Sequence, residues 1–386
     1  MIFTPEHDAL RDSIRRFCAR ELDPHVDAWE AAEDFPLREV FKKAGEAGIL
    51  GIDKPVAFGG LGLDFSYAIL LAEEMGRVAS GGVGMALGVQ AFMCTPALAR
   101  KGSDELRKAW LAPSIAGDLV GCIGVSEEGA GSDVASLKTW AKRDGGDYVI
   151  NGGKMWITNG MKADWMCCLA NTAEVGGPHY NKSLIVLPLE TKGVTRARRL
   201  KKHGMRVSDT AQIFFDDVRV PARNLIGEEN KGFIYQMEQF QEERLFAAAR
   251  SCVMMEEAIR LTIEYTRERR VFGKPLLDNQ WINFTLADLA TEVEAQRALT
   301  YMAIAEYVAG RDVTKLASMA KLKVGKLTRQ VPDACMQFFG GQGYMLENRI
   351  GRIARDSRLT AIGGGANEVM MAVIAKEMGM LSRRNR

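Results

Sequence analysis

The first quarter of the chain carries the spacing of amphipathic helices. Thr4-Pro5 reads as an N-cap with proline at the first helical position, and Leu10, Ile14, Phe17 and Cys18 then recur at steps of three and four, so that one stripe faces a core. The same pattern predicts helices over 37–47, 66–76 and 104–116, with glycine-rich punctuation at 59–62 and at Gly81, Gly82 and Gly84, which read as turn residues. From 119 to 229 the period changes to two. DYVINGGKMWITNG alternates Tyr148 and Ile150 with polar neighbours, turns at Asn151-Gly152 and resumes with Met155 and Ile157, the signature of a hairpin. VGCIGV before it, and WMCCLA, SLIVLPL and AQIFFDDV after it, add strands. From 230 onward long helical periods return, over 232–269, 281–310, 313–330, 332–339 and 367–380.

This order implies an α+β architecture in three parts. Residues 1–118 form an N-terminal helical domain, 119–229 a compact middle β domain built as a small barrel or sandwich, and 230–386 a C-terminal helical bundle. The two helical segments are expected to pack together around or against the β domain. No internal repeat or low-complexity tract interrupts the pattern.

Composition narrows the function classes. Fifty-one Lys+Arg against 49 Asp+Glu leave a formal charge of +2 on 386 residues, and no basic stripe interleaved with aromatics tracks a phosphate backbone, so no nucleic-acid partner is expected. The final LSRRNR reads as a solvated tail. The N-terminus has no apolar segment behind a basic one, and no window is expected to reach the roughly 18 uncharged apolar residues of a membrane span. The chain reads as unexported, from a cytoplasmic or matrix-like compartment. Seven cysteines, an odd number without a C-x-x-C pair, read as reduced core residues, and no metal site is expected.

Five stretches could carry chemistry. VSEEGAGSD (125–133) follows an apolar strand and offers glycines with Ser126 and Ser132 in a turn that can bring backbone N–H groups against a polar ligand. KMWITNG (154–160) sets Trp156 beside Thr158, an aromatic cover next to a hydroxyl; such a tryptophan is otherwise core. RERRVFGKPLLDNQ (267–280) ends a long helix with Arg267, Arg269 and Arg270, which complement the helix dipole or hold a phosphate. MQFFGGQGYMLENRIGRIARDSR (336–358) joins helices through Gly340, Gly341 and Gly343. LTAIGGGANEVM (359–370) places three glycines before another helix, where backbone can approach a ligand closely.

Taken in order and at their spacing, these motifs resemble the acyl-CoA dehydrogenase family over essentially the whole chain. The resemblance implies an N-terminal helical domain, a middle β-barrel and a C-terminal four-helix bundle, assembled as a homotetramer. It implies FAD, with its ring between the β domain and the C-terminal helices. By that likeness Ser126, Gly131, Ile157 and Thr158 would meet the flavin, Trp156 would cover the ring, and Ser132 would contact the pyrophosphate or the acyl-CoA. Arg269, Phe272, Gln280, Gln337, Gly340 and Gly341 would hold the adenosine diphosphate part across a subunit interface, and Ala366 and Glu368 would lie at the cofactor beyond the glycine run. Ala366 departs from the usual threonine. The implied reaction is α,β-dehydrogenation of a medium-to-long-chain or branched acyl-CoA, with electrons passed to an electron-transferring flavoprotein. Relatives that reoxidise with dioxygen are typically longer at the C-terminus, and a DNA-associated relative would need a basic extension.

Many members carry their catalytic carboxylate in I-Y-E-G-T-S-E. Here the aligned run is Ile362 to Glu368, and Gly364 stands where the acid would be. Glu368 matches the second, non-catalytic acid. A carboxylate is found instead on FIYQMEQFQEERLFAAARSCVMMEEA, whose expected inward stripe is Phe233, Met237, Phe240, then Glu243 or Arg244, then Ala247, Ser251, Met254 and Ala258. The long-chain and isovaleryl-type branches carry their base immediately before this arginine, and Q-E-E-R-L is similar to that pattern. The resemblance thus assigns the base to Glu243, with Arg244 orienting it, Gln241 and Glu242 bordering the pantetheine passage, and Gly363 and Gly364 presenting backbone to the thioester carbonyl.

Overall fold

A computed structural model describes residues 3–380; the LSRRNR tail lies outside the described residues. Eight helices form the N-terminal part: α1 (Pro5–Phe17), α2 (Val26–Ala32), α3 (Leu37–Glu46), α4 (Phe65–Arg77), α5 (Gly81–Gly88), α6 (Thr95–Lys101), α7 (Asp104–Leu106) and α8 (Ala112–Ile115). Thr4 caps α1, with His7 in the position usually taken by Glu or Gln.

Gly81, Gly82 and Gly84 lie in a helix, contrary to the turn expected there. The run continues from α5 through a π-helical turn, Val89–Cys94, into α6. Small residues are needed because neighbours press on the backbone: a Cβ at Gly82 would lie 2.5 Å from Val207, and one at Gly88 2.3 Å from the Phe246 ring. The same run corrects the expectation about apolar windows. Gly81–Lys101 spans 21 residues, long and apolar enough to cross a membrane by length and composition, but 89% of its apolar window is buried within the protein as a core helix.

The middle part is one eight-stranded sheet: β1 (Gly121–Gly124), β2 (Trp140–Asp144), β3 (Asp147–Thr158), β4 (Trp165–Asn171), β5 (Lys182–Pro188), β6 (Val194–Arg199), β7 (Thr210–Pro221) and β8 (Leu225–Ile226). Pairing runs β6-β7-β3-β2-β4-β5-β8, with β1 parallel to β4. The hairpin turn falls at Gly145-Gly146 rather than at Asn151-Gly152. Asn151-Gly152 sits inside β3, at a register shift against β7, where Gly152 has φ 134 and a Cβ would meet Thr139 Cα at 2.8 Å. Asn151 exchanges hydrogen bonds there with Asp217 on β7, so the Asn-Gly pair marks a bulge. All of β4 is buried, because helices cover the sheet where β4 lies.

The C-terminal part comprises α9 (Gly232–Glu268), a short hairpin β9 (Arg270–Val271) and β10 (Lys274–Pro275), then α10 (Gln280–Val308), α11 (Thr314–Phe338), α12 (Arg349–Ser357) and α13 (Asn367–Glu377). The break expected before Pro332 does not occur; α11 runs through it. Proline leaves the carbonyl four residues earlier without its helical donor, and that carbonyl, on Thr328, accepts from the Ser357 hydroxyl at 3.2 Å. The three parts meet at Asp356, which accepts from the N–H of Gly81 at 3.0 Å and of Met205 at 2.5 Å. All seven cysteines are buried and free.

Candidate active site

Two adjacent carboxylates on α9 have opposite environments. Glu242 is buried in an ion pair with Arg100, 2.5 Å away, and also accepts from the Tyr307 hydroxyl. Its charge is neutralised. Glu243 is equally enclosed, 6% exposed, yet among the described residues it forms no salt bridge. One of its oxygens accepts from the amides of Gln239 at 3.1 Å and Gln236 at 3.4 Å. Burial dominates, and two amide donors and the neighbouring Arg244 only partly offset it, so the Glu243 carboxyl is pushed up to about 8. Gln239 is itself fixed, accepting from Ala97 N–H at 3.0 Å and donating to the Met93 carbonyl. The carboxyl therefore faces the junction of the Val89–Cys94 turn, α6 and α9.

The stripe expected on α9 needs correcting toward its N-terminal end. Phe233, Met237, Phe240 and Ala247 are only half-buried, while Gln236, Gln239, Glu242, Glu243 and Phe246 are the enclosed positions. The cause is that the helix is covered on several sides, so a single apolar face does not describe it. Arg244 is buried and donates to Ser318 Oγ at 3.2 Å on α11. Gln241 is only half-buried, and its side-chain oxygen accepts from Val313 N–H at 2.9 Å, which anchors the start of α11.

The three-glycine run forms the turn between α12 and α13. Ile362 and Gly363 both donate to the Leu359 carbonyl at 2.8 Å. Gly364 is exposed with φ 63, its N–H finds no acceptor among the described residues, and a Cβ there would come no closer than 3.8 Å, to Lys321 Cε. Beneath the turn, Lys321 on α11 is fully buried and donates to the carbonyls of Thr360 at 2.6 Å and Gly365 at 2.9 Å. Ala366 caps α13 without a side-chain bond, and Glu368 lies exposed in its first turn.

On the β domain, the loop after β1 folds over the end of β3. Ser126 C=O accepts from Met155 N–H at 2.9 Å, and Gly131 lies against the Trp156 ring. Ser132 is exposed, Ile157 buried and Thr158 half-buried. Trp156 is 53% exposed, with φ 61. Next to Thr158, the buried Asn159 Oδ1 has no partner. An indole left open to solvent, hydroxyls at its side and an orphaned buried acceptor fit a flat aromatic group with a polar rim, as the FAD ring is. The loop is pinned by a buried ion pair, Lys154 to Glu127 at 2.8 Å.

Arg269, Phe272, Gln280, Gln337, Gly340 and Gly341 lie elsewhere, just after α9, in the hairpin that follows it, at the start of α10 and around the end of α11. All six are exposed, and the ends of α9 and α11 are joined by Tyr265 stacked on Phe339 with centroids 4.2 Å apart. The sequence-named residues thus fall into a β-domain group, a glycine turn, the buried Glu243–Arg244 pair on α9 and a distal helical group. Lys321, Gln236, Gln239 and Ser318 escaped sequence reading. For Lys321 a signal existed, since a lysine interrupts the stripe Ala317, Val324, Thr328 on α11 as Glu243 interrupts that on α9.

Three family models cover the chain: acyl-CoA dehydrogenase N-terminal domain over residues 4–118, middle domain over 122–218 and C-terminal domain over 230–379. The long-chain specific acyl-CoA dehydrogenase of Sus scrofa mitochondria is 38% identical over 378 residues, which are 98% of this chain and 87% of that one. The isovaleryl-CoA dehydrogenase of Oryza sativa subsp. japonica mitochondria is 33% identical over 98% of this chain and 92% of its own. Among solved structures, a probable acyl CoA dehydrogenase from Mycobacterium abscessus superposes with a TM-score of 0.94 at 41% identity, covering 97% of this chain and 99% of that one.

Proposed function

The chain belongs to the acyl-CoA dehydrogenase family of oxidoreductases, and on that premise we propose that it converts a medium-to-long-chain or branched acyl-CoA to the trans-2-enoyl-CoA with Glu243 as base. The observation that carries this reading is the contrast between the neighbouring acids: Glu242 is neutralised by Arg100, and Glu243 is buried without a salt bridge. A carboxylate kept out of water and unneutralised has the raised proton affinity that α-proton abstraction from a thioester requires. Glu243 accepts the α-proton. Gly364 N–H, free and exposed, donates to the thioester carbonyl as negative charge grows there. Ser126, Trp156 and Thr158 would hold FAD, which when bound would supply the hydride acceptor. Gly364 leaves room beside the α-carbon that suits a long or branched chain.

Arg269, Phe272, Gln280, Gln337 and Gly341 then serve the adenosine end of FAD in a homotetramer, and electrons leave to an electron-transferring flavoprotein. Exposure of Phe272, Trp281, Phe284, Tyr344 and Leu346 on the distal helical ends supports subunit contacts there. The purified protein is expected to be yellow and to bleach anaerobically with acyl-CoA. A panel of straight and methyl-branched thioesters of graded length assigns the substrate; a flavin-free protein that cannot be reconstituted would sink the proposal, and peroxide release under air would make it an oxidase.

The pH profile is a second test. Because the free-enzyme carboxyl titrates near 8 and only its ionised form accepts a proton, kcat/KM is expected to rise about tenfold per pH unit below that value and to level above it. A flat profile from about pH 6 to 8 would place the base elsewhere.

A further inference from the structure

We propose that Lys321 is a positioning residue for the reaction: it clamps the glycine turn so that Gly364 N–H faces the thioester, and with Arg244 it supplies the positive potential that favours the enolate. This rests on the thioester reading of the site given above. Its ammonium spans the turn, bonding the carbonyls of Thr360 and Gly365 from below, and its Cε would be the nearest atom to a Gly364 Cβ. Both carbonyls are thereby held against α11, while Gly364 between them is exposed and its N–H has no acceptor among the described residues. One turn further along α11, Gly325 seats the same segment: a Cβ there would lie 2.2 Å from Asn367 Oδ1 and 3.4 Å from Ala361 Cα.

Charge gives the second argument. Lys321 and Arg244 are both buried, and among the described residues neither forms a salt bridge. Two unneutralised cations in the interior are costly unless negative charge arrives beside them. The acid that acts on Arg244 is the adjacent Glu243, whose charge disappears when it takes a proton. An enolate forming at that moment restores the balance. Burial, with Arg244 adding to it, holds the Lys321 ammonium down to about 8, so the amine is sensitive to charge in its surroundings.

The test uses Lys321→Met in the FAD-loaded enzyme. The ligand is the 3-thia analogue of whichever acyl-CoA bleaches the flavin fastest; it can lose its α-proton but no hydride. The pH midpoint for ionisation of the bound analogue, read from its long-wavelength band against the flavin, is expected to rise by about one to two units. kcat falls about 10²-fold with KM changed less than about threefold, and amide exchange over 359–366 accelerates. An unchanged midpoint and unchanged exchange overturn the proposal. Should Lys321→Met lose FAD, it is compared with the parent by the same amide exchange, both as flavin-free chains, and equal protection over 359–366 overturns the proposal. Glu243→Gln separates the two readings: it should abolish ionisation of the analogue while leaving the turn protected. If it ionises the analogue normally, the base assignment fails whatever Lys321 shows.

Discussion

Glu243→Gln is expected to slow anaerobic flavin bleaching by about 10³- to 10⁴-fold, to leave FAD and acyl-CoA binding in place, and to make the protein more stable at pH 8. The rate loss follows from removing the carboxylate proposed to accept the α-proton. The stability gain follows from linkage. The folded carboxyl titrates near 8, against 4.5 for an ordinary glutamate, because burial opposes its charge. Between those values the folded chain holds a proton that the unfolded chain has lost. Stability therefore falls as pH rises through that window, by up to about 1.4 kcal/mol per unit, and flattens above about 8. Glutamine keeps the acceptor for Gln236 and Gln239 but carries no charge to bury. The Tm difference between variant and parent should be near zero around pH 5 and widen to its largest value near pH 8. Parallel Tm curves, or near-normal bleaching, would remove Glu243 from the mechanism. Such an opposition of stability and activity is common where an active site holds a charge in an unfavourable place.

Moving the carboxylate tests the geometry of the turn. Gly364→Glu on the Glu243→Gln background finds open space, since the nearest atom to the new Cβ is 3.8 Å away, but φ 63 costs a non-glycine residue about 1–2 kcal/mol. Partial recovery of bleaching is expected, with a modest fall in Tm. Loss of acyl-CoA binding would mean that the space beside Gly364 belongs to the substrate.

Which parts of this were legible in the sequence depends on whether a feature is local. The helical and alternating periods located α1, α9, α10 and β4 because their burial repeats along the chain. Gly81, Gly82 and Gly84 misled because a glycine needed for close packing and one needed for a turn are the same letter; only Asp356, Val207 and Arg250 pressing on the helix tell them apart. Asn151-Gly152 was outcompeted by Gly145-Gly146 six residues earlier, a turn signal of equal strength. Pro332 looked like a break because the Ser357 hydroxyl that satisfies Thr328 comes from another helix. Glu243 stood out in the sequence through the glycine at 364 and as a charge in the expected apolar stripe, and the structure buries it without a salt bridge among the described residues. Gln236 and Gln239 act through contacts made only in three dimensions and no motif announces them, whereas Lys321 left a trace as a lysine in the stripe Ala317, Val324, Thr328.

Lys154→Met is expected to be the most destabilising change near the cofactor cradle. The Lys154 ammonium is buried and donates to three oxygens: Glu127 at 2.8 Å, the Leu169 carbonyl at 2.8 Å and the Val125 carbonyl at 3.2 Å. Glu127 in turn accepts from the N–H groups of Lys138 and Thr139. Lys154 thus ties β3 to β4 and to the loop that carries Ser126, Gly131 and Ser132. Methionine fills the stem but strands a buried carboxylate and two carbonyls, a loss of about 3–5 kcal/mol, seen as a Tm lower by roughly 5–10 °C in a chain of this size. FAD affinity should fall with it, because the loop loses its anchor. The pH dependence identifies the cause. Burial pushes the Glu127 carboxyl up, but Lys154 and the hydrogen bonds to it outweigh burial and hold it below the usual range. The stabilisation is therefore present above the unfolded carboxylate range and is lost as pH falls through the lower folded value. In the variant Glu127 can take a proton instead, so the deficit relative to the parent should shrink in acid. Adding Glu127→Gln should recover part of the Tm at neutral pH. If the double variant is no more stable than Lys154→Met alone, the stranded charge is not the cause and the anchoring role of the pair fails with it.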